Sequence, residues 1–290
     1  MRLRKTAGKI LAPAIAAVAV GFLIPGQQAR AVALTDLPDL SSLTPFATFG
    51  NFYNDSLVTV HGNAGISANG ELLLAAPSTI DGNLFLGVGA TVSGPGIVTG
   101  TTFINQNLTT AQSTVYSAST TLKNLAADVT LGDVTSGQSF SGNGAVKVID
   151  MNSLTLGSGN ITLTGGANDF FVLNIAHGLS LTGSASIVGS GVDASHILVN
   201  LYDSSGANLG VIAHVGDVIN GSLLIPYDAA TLHSENGAIW SGNKEITLMS
   251  GAQVTSVPFS PPTVPDAGST MLLMSIGLGC LAAVKRKFIS

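Results

Sequence analysis

Val60-His61-Gly62-Asn63 and Ile80-Asp81-Gly82-Asn83 stand twenty residues apart in the chain. Each is an apolar strand residue running into a Gly-Asn turn, and a repeat of about 20 residues is the length of one coil of a β-solenoid. Residues 32–257 read the same way: rich in Gly, Ser, Thr, Asn, Val, Leu and Ala, and poor in charge. Ser153-Leu154-Thr155-Leu156 and Ile161-Thr162-Leu163-Thr164 alternate with period two, as strands with one buried face do. Phe170 to Ile175 and Ile197 to Leu201 are denser apolar strands, and Gly-Asn, Gly-Gly, Asp-Gly and Ser-Gly turns recur at short intervals. A β-sandwich would use the same composition. Short strands, small corner residues and the internal repeat favour stacked coils.

One segment departs from this pattern. Leu108, Ala111, Val115, Ala118, Leu122 and Leu125 recur at spacings of three and four, and no Gly or Pro falls between Ile104 and Val129. This predicts an amphipathic helix over about residues 105–127 with one narrow apolar stripe. Such a stripe suits packing along the solenoid, or docking to a partner. The fold class is therefore mainly β: a β-solenoid with one long packed α-helix.

A mostly β body with one long helix after the first strands resembles the ice-binding-protein-like β-solenoids, and within them the surface module called choice-of-anchor A. The residues that carry the resemblance are Phe170-Phe171-Val172-Leu173-Asn174-Ile175, Ile197 to Tyr202, Gly221 to Ala230 and Asn236 to Lys244. Ile225 stands where such modules usually have Ala. The resemblance implies a helix lying beside the coils and a surface role.

The two ends of the chain carry its address. Arg2, Arg4, Lys5 and Lys9 precede an apolar run from Ile10 to Ile24, and Ala29-Arg30-Ala31 supplies small residues before Val32. Residues 1–31 thus read as a secretory signal peptide, the alternative being an N-terminal membrane anchor. Residues 258–290 combine a Pro-rich spacer, a short apolar helix candidate over 271–284 and the basic stop Lys285, Arg286 and Lys287. Val264, Pro265, Asp266, Ala267, Gly268, Ser269 and Thr270 with this helix and stop resemble PEP-CTERM sorting signals. The likeness is greatest to the VPDSG variant, with Ala267 where that variant has Ser. The resemblance implies an exosortase-type sorting enzyme as partner, membrane contact through 271–284 before processing, and exopolysaccharide-producing bacteria as hosts. A plain C-terminal anchor gives the same topology without cleavage.

Between the ends lie only Lys123, Lys147 and Lys244, against fifteen acids from Asp36 to Glu245, a net charge of −12. A body this poor in cations cannot neutralise a row of phosphates, which excludes nucleic acid as a partner. The single cysteine, Cys280, lies in the tail, so the body has no disulfide framework. The five histidines (His61, His177, His196, His214 and His233) form no metal-binding spacing, no nucleophile elbow or phosphate loop occurs, and the acids are scattered singly. No catalytic residue, metal ligand or cofactor is expected. The functional expectation is a non-catalytic surface protein with a structural or adhesive role in the extracellular matrix. An ice- or glycan-binding module is the alternative, and a polysaccharide-acting enzyme a remote one. Thr155, Thr162, Thr164 and Thr182 are candidates for a water- or sugar-ordering face, and Tyr202, Tyr227 and Trp240 for stacking on sugar rings.

The sorting motif predicts processing. Protein recovered from the native cell surface should have an intact mass corresponding to a chain that ends near Ser269. Mass that includes Lys285-Arg286-Lys287 would leave the plain anchor.

Overall fold

The twenty-residue repeat is one coil. In the computed structural model Thr59, Val60 and His61 pair in parallel with Thr79, Ile80 and Asp81. The structure describes Leu37, Leu40, Leu43 and residues 46–260 apart from 49, 203–209, 243, 256 and 258. The signal-peptide and sorting-tail expectations lie outside the described residues.

The Gly-Asn corners show why this sequence stacks. Asn63 Oδ1 accepts from the Asn83 backbone N–H at 2.9 Å, and Asn83 Oδ1 accepts from Thr101 N–H at 2.9 Å, so each corner side chain caps the next coil. The glycine beside it allows that approach: a Cβ on Gly82 would strike the Gly62 carbonyl.

Every strand pairing among the described residues is parallel, which rules out the sandwich. The strands form three faces. Face A runs, in spatial order, from 129–131 through 146–151, Phe170–Ile175, Ile197–Leu201, Ser222–Ile225, Ile239–Ser241, Phe46–Thr48, Ala64–Ile66 and Leu84–Gly87 to Thr102–Gln106. Face B carries 154–156, Leu179–Leu181, Val211–Ala213, 230–232, 246–248, Phe52–Asn54, Glu71–Leu74 and Thr91–Ser93. Face C carries Gln138–Ser141, Asn160–Thr164, Ser186–Ser190, Val218–Asn220, 234–236, 253–255, Thr59–His61, Thr79–Asp81 and Ile97–Val98.

Spatial order is not chain order. The first coils build outward from residue 46 to one end at Gln106, and the chain resumes at the opposite end with Val129. Later coils then stack back until 239–255 lies against 46–61. Ten rungs of face A span about 43 Å at roughly 4.8 Å each. Helix α1, Thr109–Lys123, supplies about 22 Å of that return. The connecting residues on its two sides, 107–108 and 124–128, cover the rest.

The helix is shorter at both ends than the expected 105–127. Before it, Thr102–Gln106 pairs as a strand, and Asn105 takes a left-handed φ of 57° that no helix accepts. After it, Asn124 and Leu125 N–H groups bond to carbonyls only three residues back, tightening the last turn. The apolar stripe itself is borne out. Val115, Ala118 and Leu122 are buried against outward residues of face A, including Val148, Phe170, Val172, Leu198 and Trp240, with Leu108, Ala111 and Leu125 at the margin.

A polar ladder fixes the helix at one height. Asp150, Asn174 and Asn200 are neighbours in register on face A. Asn200 Nδ2 donates to Asn174 Oδ1 (2.9 Å) and to the Ser119 carbonyl, Asn174 Nδ2 donates to the Leu122 carbonyl (2.8 Å) and to Asp150, and Ser119 Oγ donates to Asn200 Oδ1 (2.7 Å). Both asparagines are fully buried, so these bonds replace those lost to water.

Inside the coils the core is largely aliphatic, with Phe52, Phe140 and Phe171 among its columns. Two inward polar side chains, Asn54 between Leu248 and Leu74 on face B and Glu235 on face C, are buried without a hydrogen-bond partner. Glu235 occupies the inward column of face C between Ile219 and Val254 and is 2% exposed. Neither carboxylate oxygen has a hydrogen-bond partner, and burial pushes the carboxyl well above the usual range. The folded chain therefore holds a proton that the unfolded chain releases above about pH 4.3. Stability is fully present below that pH and declines as pH rises toward the raised folded value.

Two outcomes follow. Leu122→Asp strands a charge in the helix–sheet contact and should cost about 4 kcal/mol, lowering the melting temperature by roughly 10 °C; an unchanged melting curve would mean the stripe faces solvent. Glu235→Gln should remove this decline, so the melting temperature of the wild type falls relative to that of the variant from pH 4 to pH 8. Parallel profiles would show that the carboxyl does not titrate on unfolding.

Candidate binding surfaces

Strands of face B are mostly three residues long, with outer residues inward and one residue outward. Register aligns those outward residues in one column: Thr155, Ser180, Ile212, Thr231, Thr247, Tyr53, Leu73 and Ser93. The first five are hydroxyl-bearing or β-branched, no member of the column is charged, and all are half-buried or exposed. β-Branched side chains are stiff at χ1, so such a column is ordered before anything binds. Of the threonines singled out from sequence, Thr155 belongs here. Thr162 and Thr164 lie on face C, and Thr182 sits at a corner, its hydroxyl donating to the Leu156 carbonyl at 3.2 Å. Sequence reasoning missed Ser180, Ile212, Thr231 and Thr247, which only the register assembles.

Face C is more mixed. Its outward column runs through Thr162, Val188, Asn220, Asn236, Thr255, His61 and Asp81. His61 Nδ1 lies 3.5 Å from Asp81, and Asn236 Nδ2 donates to Asn220 Oδ1 at 3.1 Å.

The three aromatic candidates separate. Trp240 is fully buried beneath the helix, because face A is covered on its outer side as well as its inner one; it is core, and the glycan-contact expectation for it is corrected. Tyr202 and Tyr227 are half-buried and come together at the edge of the helix, lining a cleft of about 190 Å³ with Ser119, Thr120, Lys123 and Asn124. Tyr116, which sequence reasoning passed over, packs its ring 5.2 Å from that of Tyr227. Burial and the neighbouring Tyr227 raise the Tyr116 hydroxyl above its ordinary pKa, so it stays neutral.

Several acids act as local fasteners. Asp169 accepts from the Gly166 and Gly144 backbones at 2.8 and 2.6 Å, and these bonds hold its carboxyl below the usual value. Asp193 caps the turn Ala194–His196 through Ser195.

The architecture, coils interrupted by a helix and rejoined in the middle of the stack, is that of an ice-binding-type β-solenoid. A crystal structure of an ice-binding protein from the Antarctic ascomycete Antarctomyces psychrotrophicus matches with a TM-score of 0.53 at 17% identity, covering 76% of this chain and 98% of that one. The ice-binding protein LeIBP from an Arctic yeast matches with a TM-score of 0.49 at 17% identity, over 80% of this chain and 99% of that one. None of the curated proteins matches in sequence. The chain belongs to the ice-binding-like adhesive domain family, which it matches over residues 33–243, and residues 263–288 match the VPDSG-CTERM motif. Among the described residues no helix is long and apolar enough to cross a membrane; the apolar segment 271–284 lies outside them.

Proposed function

We propose that this chain is an exported, non-catalytic surface adhesin whose face B binds ordered, hydroxyl-bearing surfaces, extracellular polysaccharide first among them. In this reading residues 1–31 direct export, and an exosortase-type enzyme acts on the tail at Val264 to Thr270 to deliver the body to the cell surface or matrix. The family and the sorting motif support it. The observation that carries it is the uncharged column through Thr155, Ser180, Ile212, Thr231 and Thr247. Four of these five side chains are β-branched and stiff at χ1, and their rungs stand about 4.8 Å apart, so contact forms with little further loss of conformational freedom. Ice is the second reading, favoured by the same column because it sets hydroxyls and methyls at the regular spacing of the rungs, and by the ice-binding proteins that share the fold.

Thr231→Tyr places a bulky ring at the middle of this column without touching the core. The secreted wild-type protein should be retained on the producing cells' own polysaccharide and the variant should lose most of that retention, with the two melting alike. If instead wild type restrains ice recrystallisation and the variant does not, the ligand is ice. Equal behaviour of both proteins in both assays would remove face B as the binding surface.

A further inference from the structure

The cleft beside the helix is a second place where a ligand fits, and its chemistry differs from that of face B. Lys123 is one of three lysines in a body with fifteen acids, yet its ammonium has no ion-pair partner among the described residues. It lies 4.9 Å from the ring centroid of Tyr202. A cation kept over an aromatic face stays accessible to an anion arriving from solvent. Tyr227 forms the other side, and its ring is propped by Tyr116 at 5.2 Å with an interplanar angle of 48°. Gly242 makes that arrangement possible, since a Cβ there would meet both the Pro226 carbonyl and the Tyr116 hydroxyl.

The lining sets what the cleft accepts. Ser119 is committed to Asn200, and the Thr120 hydroxyl donates to the Tyr116 carbonyl at 3.0 Å, leaving its oxygen to accept. The exposed Asn124 amide offers both donor and acceptor. Two aromatic rings, one ammonium and two neutral polar groups match a pyranose that carries a carboxylate. The apolar C–H face of the sugar packs on an aromatic ring, the hydroxyls meet Asn124 and Thr120, and the carboxylate meets Lys123. At about 190 Å³ the cleft is smaller than the roughly 300–1,000 Å³ of sites that enclose a whole small ligand, so it takes one ring of a longer chain.

We propose that this cleft binds a single uronic-acid residue of an acidic extracellular polysaccharide, with Tyr227 packing on the sugar ring and Lys123, held over Tyr202, pairing with its carboxylate. The acidic body repels a polyanion at a distance, but that repulsion is screened beyond about 8 Å at physiological ionic strength, whereas the Lys123 contact is direct. The site does not depend on face B.

The test uses the secreted protein on immobilised polygalacturonate, with uncharged dextran as control. Wild type should bind polygalacturonate more tightly than dextran. Lys123→Met and Tyr202→Ala should each weaken binding about tenfold, whereas Lys123→Arg should keep it. Thr231→Tyr should leave it unchanged, so failure of this site and failure of face B are told apart. Undiminished binding by Lys123→Met, or equal binding of the two polymers by the Thr231→Tyr variant, whose face B is blocked, would overturn the proposal.

Discussion

The pairing of the last coil with the first is the contact on which the whole molecule depends. Ile239 and Trp240 meet Phe46 and Ala47 on face A, 246–248 meets 52–54 on face B, and 253–255 meets 59–61 on face C. Without it there would be two short stacks, each with an extra set of unpaired strand edges, a recognised liability. The contact also dictates the helix. A chain that finishes one end of the stack and must begin again at the other needs a rigid return of the right length, and α1 provides it.

Two cores result, of different character. Inside the coils mostly aliphatic side chains pile up in columns, with Asn54 and Glu235 the discordant members. Between helix and face A a second core mixes Phe170, Trp240 and Leu122 with the buried ladder of Asn174 and Asn200. An apolar stripe alone would let the helix slide along the coils. Side-chain amides that bond specific helix carbonyls hold it at one position, and this holds the edge on which Lys123 and Tyr116 meet Tyr202 and Tyr227.

What could be read from sequence was what repeats locally. The coil length was visible at Val60-His61-Gly62-Asn63 and Ile80-Asp81-Gly82-Asn83, because the corner needs a small residue and a capping amide. The helix stripe was visible because its spacing is internal to the helix. The face B column was not, since Thr155, Ser180, Ile212, Thr231 and Thr247 follow one another at intervals of 25, 32, 19 and 16 residues, and loops of unequal length hide the rung. Glu235 was hidden differently. Continuing the alternation from Leu232 would turn Ser234 inward and Glu235 outward, but the register shifts at the corner between Leu232 and Ser234, and every later side chain changes side. Trp240 misled because a strand covered on both faces leaves no outward position for an aromatic residue to exploit.

The order of stacking also has a mechanical meaning. The coil that leads into the tail is not terminal in space but lies between 222–236 and 46–61, and the chain leaves it across face A, where Phe259 packs edge-on to Phe170 and Ser260 N–H bonds the Ser195 carbonyl. Tension applied through the C-terminus therefore enters the middle of the solenoid. Instead of peeling coils one after another from an end, a pull must break strand ladders on both sides of the same coil together. A pull applied there meets the ladders on both sides of that coil, rather than the single ladder of a terminal one.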